Sequence, residues 1–276
     1  MSEDKRIPLL SFTGSCQIGQ QVAQTVQARF GKSILELGGN NAIIILNDAD
    51  LTLAIPAVFF AAVGTAGQRC TTARRLVNMM ITTTKSLFIL SVQIVQEGVY
   101  DEVLSRLRRA YEQIESRIGD ALDDGVLYGP LHSKQSVRLY EEALAQVQGQ
   151  GGKIFYGGKV YRERQGNFVQ PTIVTELQHN SPLVHQETFA PILYVLKCQV
   201  RYSTRSMSTS ATLAVLKTFD EAIQWNNEVD QGLSSSLFTN SPASLFKWMG
   251  PQGSDCGIVH RTIRRPFHSS VSLSAR

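Results

Sequence analysis

Residues 33–46 read SILELGGNNAIIIL, two β-forming runs on either side of a Gly-Gly bend. The segments around them alternate in the same way. Upstream, IPLLSF (7–12) is a short apolar run and TGS (13–15) a turn. IGQQVAQTVQARF (18–30) then carries Ile18, Val22, Val26 and Phe30 at helical spacing. Downstream, DADLTLAIPAVFFAAV (48–63) reads as a helix opened by an Asp-rich cap and broken or kinked near Pro56.

Further along, VYDEVLSRLRRAYEQI (99–114) places Val103, Leu104, Leu107, Tyr111 and Ile114 on one helical stripe. A second amphipathic helix is expected at about 134–148. GGKIFYGGK (151–159) and GNFVQPTIV (166–174) each read as a strand. TFDEAIQWNN (218–227) offers Thr218 and Glu221 as a capping box, and SPASLFKWM (241–249) begins with a Ser-Pro helix start. Strands alternating with helices at this spacing predict an α/β fold with a largely parallel sheet.

Two stretches and the tail break the pattern. The apolar run 77–95 is long enough to raise the question of a membrane span, but Lys85, Gln93 and three threonines argue against one. A buried strand or a poorly folded insert is expected there. Residues 198–217 are rich in Ser and Thr with weak periodicity, and the basic tail from His260 is expected to be disordered.

The 276 residues suffice for one large domain or two modest ones, and a net charge of +4 does not by itself argue for nucleic acid. Cys16, Cys70, Cys198 and Cys256 lie far apart, without a CxxC or metal-ligand spacing. No metal site and no disulfide scaffold are expected, and a reducing compartment fits. No N-terminal targeting signal is visible.

Three short stretches carry chemistry. FTGSCQIG (12–19) sets Gly14 and Gly19 around a helix start, where backbone N–H groups and the helix dipole can receive a pyrophosphate; a plain tight turn would look the same. Glu36, before the Gly-Gly bend, is either a general base or a solvated turn residue. Cys70, in GTAGQRCTTARRL (64–76), is either an inert buried thiol or a nucleophile. A helix starting near Thr71, with Arg69 alongside, would favour its thiolate.

In order, SFTGS, LELGGNN, GQRCTTARR, ETFAPIL (187–193) and GLSSSLFT (232–239) resemble the aldehyde dehydrogenase superfamily. They are most similar to its antiquitin branch, the α-aminoadipic semialdehyde dehydrogenases. The resemblance spans about 8–76, 98–197 and 218–259. It implies a catalytic domain at 37–259, preceded at 1–36 by a remnant of the NAD-binding domain and followed at 260–276 by the basic tail. The implied activity is NAD-dependent oxidation of an aldehyde, such as a semialdehyde of lysine breakdown, to the acid.

In that scheme Cys70 is the nucleophile and Glu36 the base. Gly14 and Ser15 lie along the cofactor phosphates, and Leu37 offers its carbonyl near the nicotinamide amide. Glu187 holds the nicotinamide ribose and Phe189 packs against the same end. Arg69 and Thr71 receive a substrate carboxylate, and the Cys70 N–H gives half of an oxyanion hole. A small-molecule substrate, no nucleic acid or membrane partner, the family's homo-oligomer, and a cytoplasmic or mitochondrial location are implied.

Against the family pattern, the chain is expected to lack the N-terminal half and the C-terminal oligomerisation strand, and 77–96 and 198–217 are inserts. It is therefore expected to bind NAD poorly and, alone, to turn over little or nothing. Two alternatives follow: a catalytically impaired binding or interaction protein that joins complete subunits, and a cysteine hydrolase pairing Cys70 with His132 or His185.

Overall fold

The computed structural model describes residues 1–82, 99–201, 210–262 and 273–274. The chain divides into two units, Met1–Gly39 and Asn40–Arg276; the sequence reading places this boundary after residue 36.

In the first unit, β1 (Leu9–Thr13), α1 (Cys16–Ala28) and β2 (Lys32–Glu36) form a strand–helix–strand, with β1 and β2 parallel from Leu9 against Lys32 to Thr13 against Glu36. The Ser15 side chain caps α1, accepting the Ile18 N–H at 3.3 Å. Gly19 lets the helix lie close to the chain beyond β2. A Cβ there would fall 2.3 Å from the Leu37 side chain.

The second unit is built on eight strands: β3 (Asn41–Ile45), β4 (Ala73–Thr82), β5 (Lys153–Tyr156), β6 (Thr172–Thr175), β7 (Ile192–Arg201), β8 (Ser234–Phe238), β9 (Ile258–Thr262) and β10 (Leu273–Ser274). Their order across the sheet is β10-β9-β8-β3-β4-β7-β6-β5. All neighbours are parallel except the edge pairs β5–β6 and β9–β10. The helices are α2 (Leu51–Val63), α3 (Val99–Ile114), α4 (Lys134–Gly149), α5 (Pro182–His185), α6 (Ser210–Asn227) and α7 (Pro242–Met249).

The expected parallel α/β architecture is therefore present. Every residue of β3 is buried, which explains its unalternated AIII: a central parallel strand meets apolar neighbours on both faces. The stripe read on α3 is buried at all five positions, joined by Tyr100. Among the described residues no helix is long and apolar enough to cross a membrane.

Several expectations need correction. Helix α2 is not broken at Pro56, which sits on its exposed side. Its Asp50 cap accepts the Thr52 N–H at 2.9 Å. Helix α6 starts at Ser210, so Thr218 lies inside it and the capping-box signal marks no helix start.

The atypical stretches are partly regular. Residues 77–82 complete β4, with Val77 against Leu196 and Thr82 against Arg201, while 83–96 lie outside the described residues. Residues 198–201 end β7 and 210–217 open α6. His260–Thr262, at the head of the expected disordered tail, instead pair with Ser236–Phe238 of β8. Residues 263–272 are outside the described set.

Candidate active site

In the second unit, α2 runs into a kinked turn at Gly64–Gly67. Thr65, Ala66 and Gly67 have φ of 53°, 51° and 71°. A left-handed conformation costs a residue with a Cβ about 1–2 kcal/mol, so two such residues in a row need outside support. That support is close packing: a Cβ on Gly67 would lie 2.5 Å from the carbonyl of Ala190 and 2.6 Å from Pro191 N. Gly67→Ala is expected to destabilise the chain by about 2 kcal/mol or more, read as a lower urea midpoint with an unchanged slope. A midpoint equal to the parent's would show that the two segments do not pack this tightly.

Cys70 follows at intermediate exposure. The helix expected from Thr71 does not form: Cys70 stands in a turn and β4 begins at Ala73. The helix-dipole argument for its thiolate therefore falls. The Thr72 N–H donates to Arg69 O at 3.0 Å, and the Arg69 N–H donates to Thr72 Oγ1 at 3.1 Å.

A residue without an assigned role holds the turn. Asn41 Nδ2 donates to Cys70 O at 2.7 Å and to Thr72 O at 2.8 Å. Its Oδ1 accepts the Ser234 N–H at 3.1 Å and the Ser234 hydroxyl at 2.9 Å. One buried amide thus ties the cysteine turn to the head of β8. Among the described residues no carbonyl takes the Cys70 N–H, which leaves it able to donate.

Arg69 and Thr71 line one cavity of about 220 Å³ with Phe60, Ser234–Ser236 and His260. Arg69 Nη2 also donates to Phe60 O at 2.8 Å, near the end of α2, and the guanidinium lies 4.8 Å from the Phe60 ring centre. A second cavity, about 630 Å³, is lined by Thr65, Gln68, Tyr128, Pro130, His132 and Phe189 among others, a size that suits a small-molecule ligand. Phe189 is itself left-handed, with φ 48°. Two strained residues from separate segments, Thr65 and Phe189, therefore face one cavity. Gln68 closes its wall, its Oε1 accepting the His132 N–H at 2.9 Å and its Nε2 donating to Pro130 O at 3.2 Å.

Glu187 is largely buried and meets Arg74 Nη2 at 3.4 Å. Arg74 has a buried side chain, and desolvation lowers its pKa while Glu187 acts to raise it. Arg75, also buried, donates to Asn40 O from Nε at 3.1 Å and from Nη2 at 2.8 Å, and to the carbonyls of Trp225 and Asn226. Burial brings its pKa down to about 10. Neither arginine is singled out in the sequence, which offers only two adjacent charges in ARRLV (73–77).

The hydrolase pairing is not formed. His132 Nδ1 lies 3.2 Å from Gln68 Oε1 and 3.0 Å from Ser136 Oγ. His185 Nε2 lies 3.0 Å from His179 O and 3.4 Å from Glu228. Both rings are engaged away from the thiol. Among the described residues no group of three or more His, Cys, Asp or Glu could hold a metal ion.

In the first unit, Gly14, Ser15, Cys16 and Gln17 are all exposed at the start of α1, and its first turn holds no acidic residue. The positive helix end is thus open to an anion, which fits a dinucleotide's phosphates. The Gly14 N–H donates to Glu36 O at 3.1 Å. Glu36 ends β2 with its side chain exposed, and Leu37 packs against Gly19.

The second unit is an α/β protein with a mainly parallel sheet, and the first is a parallel strand–helix–strand. The particular family follows from comparison: the aldehyde dehydrogenase family model matches residues 1–204, and the chain belongs to that family. It is 56% identical over 261 residues to a putative aldehyde dehydrogenase family 7 member A1 homolog of Caenorhabditis elegans, and 52% identical over 263 residues to the α-aminoadipic semialdehyde dehydrogenase of Mus musculus. Each match covers 95% of this chain and 42% of the relative, so the chain spans less than half the length of these curated relatives.

Among solved structures, lactaldehyde dehydrogenase from Escherichia coli matches with a TM-score of 0.77 and 26% identity, over 97% of this chain and 48% of that one. Betaine aldehyde dehydrogenase from Staphylococcus aureus, in complex with NAD+, shares the fold with a TM-score of 0.76 and 23% identity, over 97% of this chain and 46% of that one.

Proposed function

We propose that the chain carries a site for oxidising an aldehyde to its carboxylic acid. The observation that supports this most is Cys70, half-buried in a turn fixed by Asn41 and following a left-handed run that only tertiary packing holds.

The thiolate of Cys70 adds to the aldehyde carbon and forms the C–S bond, and the carbonyl electron pair moves onto oxygen. The Cys70 N–H is the donor for that oxygen. NAD, when bound, would supply a hydride acceptor, and Cys70 would then carry the acyl group as a thioester. Glu36 takes a proton from water, the water oxygen adds to the thioester carbon, the C–S bond breaks, and the acid leaves with Cys70 again a thiolate. In this reading Gly14, Ser15, Leu37, Glu187 and Phe189 are the cofactor-binding residues.

The substrate class is an aldehyde with a distal carboxylate, such as α-aminoadipic semialdehyde. Arg69 and the Thr71 and serine hydroxyls give the smaller cavity a cationic, hydroxyl-rich wall, and the named relative in mouse is a semialdehyde dehydrogenase. The test is NADH absorbance from the purified chain with a semialdehyde and with an uncharged aldehyde of equal length. The semialdehyde is expected to be favoured about tenfold or more in kcat/KM, and Arg69→Met to remove that preference. Equal rates for both aldehydes would overturn the substrate class. No NADH from either would overturn the activity.

A further inference from the structure

Arg74, the second residue of β4, has a side chain only 2% exposed. Nη1 points at Ala190 O, 3.4 Å away, and Nη2 at Gly67 O, also 3.4 Å away. The same Nη2 meets Glu187 Oε1 at 3.4 Å, and the guanidinium carbon lies 5.6 Å from the Phe189 ring centre. Two backbone carbonyls and a carboxylate thus converge on one planar cation from two segments of the chain. One segment is the left-handed run before Cys70. The other is 187–191, which leads into β7.

Oxygens gathered this closely in a dry region repel one another unless a cation lies between them. An ammonium is a compact point charge and does not span three acceptors as a guanidinium fork does. Gly67 shows how tight the junction is, since the space for its Cβ is taken by Ala190.

We propose that Arg74 is a positioning residue: it holds the Glu187 carboxylate and the Cys70 loop in one fixed relation, acting on the reaction through Glu187. The assignment rests on the reading of Glu187 as the carboxylate that holds the cofactor ribose.

The test uses the full chain and its Arg74→Met, Arg74→Lys and Glu187→Gln variants, with the double variant R74M/E187Q. Amide hydrogen exchange is followed at 63–70 and 186–190, with strand residues 41–45 as the internal control, and NAD+ affinity is measured by calorimetry. R74M is expected to speed exchange in both segments about tenfold or more while the control stays at the parent rate. It is also expected to weaken NAD+ binding about tenfold, with R74K in between. E187Q weakens NAD+ but leaves 63–70 unchanged, and the double variant binds NAD+ no more weakly than R74M alone. Such non-additivity marks action through Glu187, which a residue serving the fold alone would not produce.

Loosening of one segment only, a uniform rise that includes the control, or fully additive losses of affinity would overturn the proposal. Parent and E187Q taking up NAD+ alike, or not at all, would overturn the ribose assignment. In that case the joint loosening by R74M would still uphold the tie between the two segments.

Discussion

Arg75→Ala is expected to lower the unfolding free energy by about 3–5 kcal/mol, the largest stability loss foreseen for a single substitution here. Arg75 is buried, and its guanidinium serves three carbonyls: Asn40 O, Trp225 O and Asn226 O. The last two belong to the final turn of α6, where carbonyls have no partner within the helix. Arg75 therefore caps α6 from inside the fold and sets a positive charge at the negative end of the helix dipole. Alanine removes every donor at once and leaves a void. Each carbonyl stranded away from water costs about 1–3 kcal/mol, before any relaxation that admits solvent.

Burial pulls the Arg75 pKa down to about 10, partly offset by the nearby charge of Glu228 first and of Asp255. Urea denaturation monitored by far-UV circular dichroism checks the prediction. A loss under about 1 kcal/mol would mean that water or another donor already serves these carbonyls.

The second large effect is chemical. Cys70→Ala is expected to reduce aldehyde oxidation by more than about 10³-fold, because it removes the thiol that forms the covalent intermediate of the proposed reaction. The fold should survive, since the Asn41 bonds that fix the turn go to the backbone carbonyls of Cys70 and Thr72, not to the thiol. Glu36→Gln is expected to act later, sparing the first hydride release and slowing hydrolysis. A burst of NADH equal to the protein present, followed by slow turnover, would separate the two roles.

The fold was legible wherever local pattern and burial agree. The run AIII predicts a strand, and β3 is buried at each of its positions. The stripe from Val103 to Ile114 predicts the buried face of α3. Legibility fails where a distant side chain decides local structure. The turn at Cys70 is fixed by Asn41, far away in sequence, so ARRL enters β4 directly rather than a helix.

Thr218 and Glu221 have the spacing of a helix start, but the helix had already begun at Ser210. Adjacent arginines such as Arg74 and Arg75 usually face solvent. Their burial follows from carbonyls on other segments, which no local pattern records. The candidate residues Cys70, Glu36, Glu187 and Arg69 came from ordered motifs, whereas Asn41, Ser234 and Arg74, which hold them or their loops, emerged only from the packing.

The most direct test of the central claim is peptide-mapped mass spectrometry of the Glu36→Gln chain mixed with a semialdehyde, with and without NAD+. The account predicts an acyl group on the Cys70 peptide only when NAD+ is present, and none on Cys16, Cys198 or Cys256. An unmodified Cys70 peptide in the presence of NAD+, or an acyl group on another cysteine, would contradict it.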